Sequence, residues 1–101
     1  MGDQFEEDLE FEWDKGNSDK NWTKHKVSNK EAEEVFFDDR AIRRIDTKHS
    51  KVETRWLLLG KTGTSRKLAA VFTKRKIKIR VVSVRPMSKK EKIAYEKQKI
   101  E

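Results

Sequence analysis

Cysteine is absent, proline occurs once and glycine four times in these 101 residues. Without cysteine there is no disulfide framework, no thiolate metal site and no thiol nucleophile. The two histidines, His25 and His49, are far apart in the chain. They offer neither an i, i+4 pair nor the three or four ligands a metal site usually needs, so no metal or other cofactor is expected. No apolar run approaches the length of a membrane span. The acidic N-terminus has no basic segment leading into an apolar one, so no secretory signal is expected and the expected location is cytoplasmic. Gly60-Lys61-Thr62-Gly63-Thr64 lacks the spacing of a phosphate-binding P-loop and reads as a hairpin turn. No serine stands in a nucleophile-elbow sequence.

What is present is charge. Charged side chains make up 43% of the chain and apolar ones 34%, lean for a core, but three Trp and five Phe supply large buried area per residue. A chain of this length builds one domain. The net charge of +7 is unevenly spread. Residues 1–20 hold eight acids and two lysines, whereas the rest holds 23 basic and 10 acidic side chains. So basic a body attracts polyanions, since neutralising phosphates releases condensed counterions. Residues 1–8 are expected to be a disordered acidic leader, and 9–101 the folded domain.

Hydrophobic period and caps give the order of elements. Leu9 to Trp13 alternates as a half-buried strand does. Asp14 then caps a helix running to about Lys26, with Trp22 as its apolar anchor. Ser28 and Glu31 form a capping box, and Ala32, Val35 and Phe36 share one face of the helix that follows. Strands are expected at Ala41–Ile45, Arg55–Leu59, Leu68–Thr73 and Lys76–Val84, with a tight turn near Lys74-Arg75. Pro86 stops the last strand. Ser88 and Glu91 form a second capping box, opening a helix with Ile93, Ala94 and Ile100 on its apolar side. Short turns between successive strands favour an α+β domain: an antiparallel sheet with two N-terminal helices packed on it and a C-terminal helix.

In the last strand Ile77, Ile79 and Val81 point to one face and Lys76, Lys78 and Arg80 to the other, with Arg85 at the strand's end. Val82 and Val84 share parity with Arg80, so the last helix is expected to cover part of that face and leave a cleft. Arginine suits such a place because its planar fork binds phosphate oxygens and stays charged. RNA cleavage needs little more: the 2′-hydroxyl is an internal nucleophile, and the protein must align it, neutralise the phosphorane and manage two protons. Lys24, His25, His49, Glu53 and Tyr95 are the residues able to handle protons. From the residues alone, a ribonuclease, a basic module that binds nucleic acid without cutting it, and a structural protein gripping an acidic partner all remain open.

Several segments together resemble the BrnT toxins. They are Phe11-Glu12-Trp13-Asp14; Asn21 with Lys24-His25 and Val27-Ser28; Glu31-Ala32 and Val35-Phe36-Phe37-Asp38; and Arg80 to Pro86 followed by Ser88, Glu91 and Tyr95. The family usually has glycine after its Lys-His pair, where Lys26 stands here, and often Arg after the last helix's Glu, where Lys92 stands. The resemblance implies a RelE-like fold and the toxin of a bacterial type II toxin–antitoxin pair, an endoribonuclease that inhibits translation; with no clustered ligands in the sequence, the cleavage is expected to be metal-independent. It implies neutralisation by a BrnA-like ribbon-helix-helix antitoxin, in an assembly such as a heterotetramer that reaches operator DNA through the antitoxin. Carried onto this chain, it implies an active-site surface of Lys24, His25, Arg55, Arg80, Arg85 and Tyr95 with Glu53 beside them. Catalytic roles are expected for Arg80, Arg85, Lys24, His25, Glu53 and Tyr95, and RNA binding for Arg55 and, from the basic strand face they share with Arg80, for Lys76 and Lys78.

Overall fold

The computed structural model describes residues 9–49 and 53–98, the side chain of His49 excepted. The expected acidic leader and Ile100 lie outside the described residues. Along the chain run β1 (Glu10–Glu12), α1 (Lys15–His25), α2 (Asn29–Glu34) continuing into a 3-10 turn (Val35–Phe37), β2 (Ile42–Ile45), a second 3-10 turn (Thr47–His49), β3 (Trp56–Lys61), β4 (Lys67–Arg75), β5 (Lys78–Pro86) and α3 (Lys89–Lys97). The strands form one sheet in the order β1-β5-β4-β3-β2, an α+β arrangement. β2 to β5 pair antiparallel through their connections, whereas β1 runs parallel to β5. The sheet is therefore mixed rather than wholly antiparallel. Most of the chain separates β1 from β5, so no hairpin imposes their direction.

One face of the sheet carries the main core. Leu58, Leu68, Ala70, Phe72, Ile79, Val81 and Val84 pack there against Val27, Ala32, Val35 and Phe36 from α2 and its flanks. Phe36 lies edge-on between Phe11 and Phe72, with centroids 5.2 and 4.9 Å away. Gly60 allows the turn at Val35 to press onto β3, since a Cβ there would stand 2.8 Å from the Val35 carbonyl oxygen. On the other face, at one end, Tyr95 of α3 and Met87 cover Leu59 and Ala69.

α1 is held differently from the expectation. Trp22 is 52% exposed and anchors nothing in the core. The buried residues of α1 are Asn17 and Asn21. β1 pairs only with Lys78 to Arg80, so the β5 edge beyond it has no strand partner. The side-chain amides of α1 take that place: Asn17 Nδ2 donates to the Val81 carbonyl (2.8 Å) and Asn21 Oδ1 accepts from the Val84 amide (2.9 Å). Each buried backbone group needs such a partner. At its far end α1 stops at Lys26, which adopts the left-handed conformation (φ 54°) while its amide bonds back to Asn21 and Trp22. Arg66 donates to the carbonyls of His25 and Lys26 and pairs with Glu31, tying this exit to α2.

β5 also departs from plain alternation. The β4–β5 turn falls at Lys76-Ile77, two residues later than expected, so Lys76 takes a positive φ and Ile77 is 52% exposed instead of lining the core. Val71 then pairs with Ser83 but Phe72 with Val81, so Val82 is an extra residue in β5, a β-bulge. The bulge reverses parity. Val84 joins Ile79 and Val81 in the core rather than sharing the face of Arg80. α3 is anchored by Tyr95, while Ile93 is 55% exposed.

Candidate active site

Strand register lays the second sheet face out in rows. Ile42, Leu59, Ala69 and Arg85 are successive partners in one row, beneath and beside α3. The next row is Arg44, Leu57, Val71 and Ser83. In the third, Thr73 pairs with Arg80 and Arg80 with Glu12, and Arg55 extends the row from the start of β3. Tyr95 of α3 and Met87 cover the first row, with Leu57 packed at the edge of that cluster, and the other two rows form the floor of an open cleft. One part, of about 530 Å³, is lined by Leu57, Val71, Val82, Ser83, Arg44 and Arg85, among others. The adjoining part, of about 300 Å³, contains Thr73, Arg75, Arg80 and Glu53. Lys20, Arg55 and Val82 line both.

The charged end is a network of alternating sign. Arg80 Nη1 is 3.0 Å from Asp14 Oδ2 and 3.8 Å from Glu12. Arg75 makes a forked pair with Glu53, 3.0 and 3.3 Å, and its Nη1 lies 3.8 Å from Glu12. Asp14 has two tasks: one oxygen accepts the Asn17 amide as the cap of α1 and the other orients Arg80. The Arg80 bond foremost, then the Asn17 amide, hold the Asp14 carboxyl below its ordinary range. Arg75 does the same to Glu53. Thr73 is 3% exposed, and its hydroxyl has no hydrogen-bond partner among the described residues. A guanidinium has five donors, so Asp14 leaves Arg80 with N–H groups for a ligand oxygen.

Of the residues singled out from sequence, Arg80, Arg55 and Glu53 come together at this charged end. Arg85 borders the larger part, but its fork is engaged: Nη1 and Nη2 meet Glu91 at 2.7 and 2.9 Å. That pair holds the Glu91 carboxyl down at about 2. Tyr95 is 1% exposed and donates its hydroxyl to Asp38 Oδ2 at 2.6 Å. Burial, and then the carboxylate, push its phenol well above the ordinary value. The structure thus makes Tyr95 a core residue. Lys24 and His25 end α1 and line neither part of the cleft, and Lys76 and Lys78 lie at the exposed β4–β5 turn. The His49 side chain lies outside the described residues.

Lys20, Arg44, Thr73, Arg75 and the orienting Asp14 were not anticipated. A signal for Thr73 existed. Taking Thr64 as the centre of the β3–β4 hairpin aligns Arg55 with Thr73, and a short turn at Lys76-Ile77 then aligns Thr73 with Arg80. Among the described residues no group of three His, Asp or Glu side chains is placed to hold a metal, and no helix is long and apolar enough to cross a membrane.

The arrangement can grip a phosphodiester with fixed guanidinium groups beside a carboxylate. No curated protein matches the chain. The family model described as ribonuclease toxin, BrnT, of type II toxin-antitoxin systems matches residues 13–91, a stretch that contains α1, α2, strands β2 to β5 and the start of α3. The chain belongs to the BrnT family of ribonuclease toxins, whose target is RNA and whose partner is an antitoxin.

Proposed function

We propose that this cleft cuts RNA without a metal ion, with Arg80 as the principal phosphate-binding and transition-state group. The observation that carries the reading is Arg80 itself, half-buried beside Arg55 and Lys20 and oriented by Asp14. The 2′-hydroxyl attacks the adjacent phosphorus, the bond from phosphorus to the 5′-oxygen breaks, and a cyclic phosphate remains. The hydroxyl proton leaves to Glu53 or to water, and the departing 5′-oxygen takes one from water. Bonds from Arg80 that strengthen as charge builds on the phosphorane lower the barrier. Arg55 and Lys20 hold the strand, and Lys76 and Lys78 extend the attraction along the sheet end. Arg85 serves here by framing the cleft through Glu91. Lys24, His25 and Tyr95 take no part in bond breaking.

In this proposal cleavage arrests translation, and a BrnA-like ribbon-helix-helix antitoxin neutralises the toxin by covering Arg80, in an assembly such as a heterotetramer that reaches operator DNA through the antitoxin. The five-stranded sheet with helices on both faces is compatible with a RelE-like fold. The test is single-turnover cleavage of a defined RNA in EDTA by the wild type and by Arg80→Ala. The variant should be slower by about 10²–10³, the usual effect of losing one transition-state donor, with its melting temperature little changed. A folded Arg80→Ala that cuts at the wild-type rate removes Arg80 from the mechanism, and activity lost in EDTA and restored by magnesium refutes metal independence. One observation favours a second reading, a module that binds RNA without cutting it. Glu53, the proton acceptor in the charged part, is held acidic by Arg75 and is a weak base. Salt-sensitive RNA binding without turnover would select that reading.

A further inference from the structure

We propose that the larger part of the cleft is a nucleobase subsite, taking one unpaired base next to the phosphate held at Arg80, so that the substrate is single-stranded RNA. This rests on the ribonuclease reading and adds to it a second contact, with a base rather than the backbone.

The row Arg44–Leu57–Val71–Ser83 has an apolar middle between polar ends. Leu57, Val71 and Val82 are only half-buried, because α3 covers Leu59 and Ala69 one row away. In a chain 43% charged, such a floor, bordered by five cationic side chains against one carboxylate, Asp46, is the surface that a flat apolar group attached to an anion would fill. The volume of about 530 Å³ falls within the usual range for small-ligand sites, about 300–1,000 Å³. The β-bulge builds one wall: with two residues opposing Val71, Val82 and Ser83 both border the cleft, and the serine hydroxyl can bond a base edge. Arg44 and Lys20 make no ion pair among the described residues, so their charge is available to the strand entering and leaving.

Lys20, Arg55 and Val82 line both parts, so a base on Val71 and a phosphate at Arg80 would be neighbours on one strand. A base in an A-form duplex stays stacked and paired and cannot lie flat on the floor; one splayed from a single strand can. An acidic protein segment could also meet the cations, but it would show no dependence on a base.

The test compares a single-stranded RNA of mapped cleavage site with versions carrying an abasic ribose on either side of the scissile phosphate. Both cleavage and equilibrium binding are measured. For the wild type, one of the two abasic positions should lose about tenfold or more in both, the usual scale for one stacked base. Val71→Asn, which makes the floor polar, should shrink that ratio towards one, whereas Arg80→Ala should slow cleavage of all three RNAs alike and keep the ratio in binding. If Val71→Asn does not fold, Ser83→Leu, which fills the cleft from its far wall, should shrink the ratio in the same way. Equal handling of intact and abasic RNA by the wild type overturns the subsite while leaving the ribonuclease reading intact. So does an unchanged ratio in the folded variant, or an equal rate on a fully paired duplex. RNA bound with base dependence but never cut would overturn the ribonuclease reading and keep the subsite. RNA neither bound nor cut would overturn both.

Discussion

Glu91→Gln tests how α3 is fastened to the sheet and why Arg85 is engaged. The Glu91 carboxylate accepts Nη1 and Nη2 of Arg85 at 2.7 and 2.9 Å and the Ser88 amide at 2.8 Å, which closes the capping box of α3. These bonds, Arg85 foremost, lower the carboxyl from 4.5 to about 2. At about 1.4 kcal/mol per unit the ceiling on its contribution is about 3 kcal/mol. The Arg85 side chain is 41% exposed, so water screens the pair and about 1–2 kcal/mol is the realistic size. Gln keeps the volume and one acceptor for Ser88 but loses the charge and the forked pair. The sign follows from a depressed pKa: the stabilisation is fully present above the ordinary value of 4.5 and is lost as pH falls towards 2. Between those limits the linkage relation leaves about 40% of it at pH 3. Urea denaturation of both proteins at pH 7 and pH 3 is the assay. The variant should be less stable by about 1–2 kcal/mol at neutral pH, with the gap closing to less than half at pH 3. A gap that is absent at pH 7, or equally large at pH 3, would refute the assignment of the shift to this ion pair.

Asn21→Ala should cost about 1–3 kcal/mol, because it removes the acceptor of the buried Val84 amide and leaves that N–H unpaired; chemical denaturation measures it, and a loss below about 0.5 kcal/mol would mean water replaces the side chain. Lys26→Gly should stabilise the fold by about 0.5–1 kcal/mol by relieving the left-handed backbone, less whatever the contact of Lys26 with the Trp22 ring contributes; an unchanged or lower melting temperature would contradict this. Tyr95→Phe should cleave RNA at the wild-type rate while losing about 1 kcal/mol of stability with the bond to Asp38, and a large loss of rate in a folded variant would return Tyr95 to the chemistry.

The features that sequence alone determined are those whose physics is local. Ser28 with Glu31 and Ser88 with Glu91 both form their capping boxes, since cap and amide lie within four residues. Ala32, Val35 and Phe36 are buried as their spacing demands, and Ile79 and Val81 occupy the core face. Asp14 was legible as the cap of α1, though its hold on Arg80 was not, because β5 is distant in the chain. Tertiary structure decided the rest. A bulge is a property of two paired strands, so neither the reversed side of Val84 nor the row placing Ser83 beside Val71 could be read from β5 alone. Apolar character could not tell buried from exposed: Trp22 and Ile93 face solvent, while polar Asn17 and Asn21 are buried because the open edge of β5 needs hydrogen-bond partners more than α1 needs apolar contact. Likewise Tyr95 became core and Arg85 became tied to Glu91 only when α3 folded back over Leu59 and Ala69. The residue types for gripping phosphate were visible in the chain; which of them share a cleft was settled by strand register, which couples residues far apart in sequence.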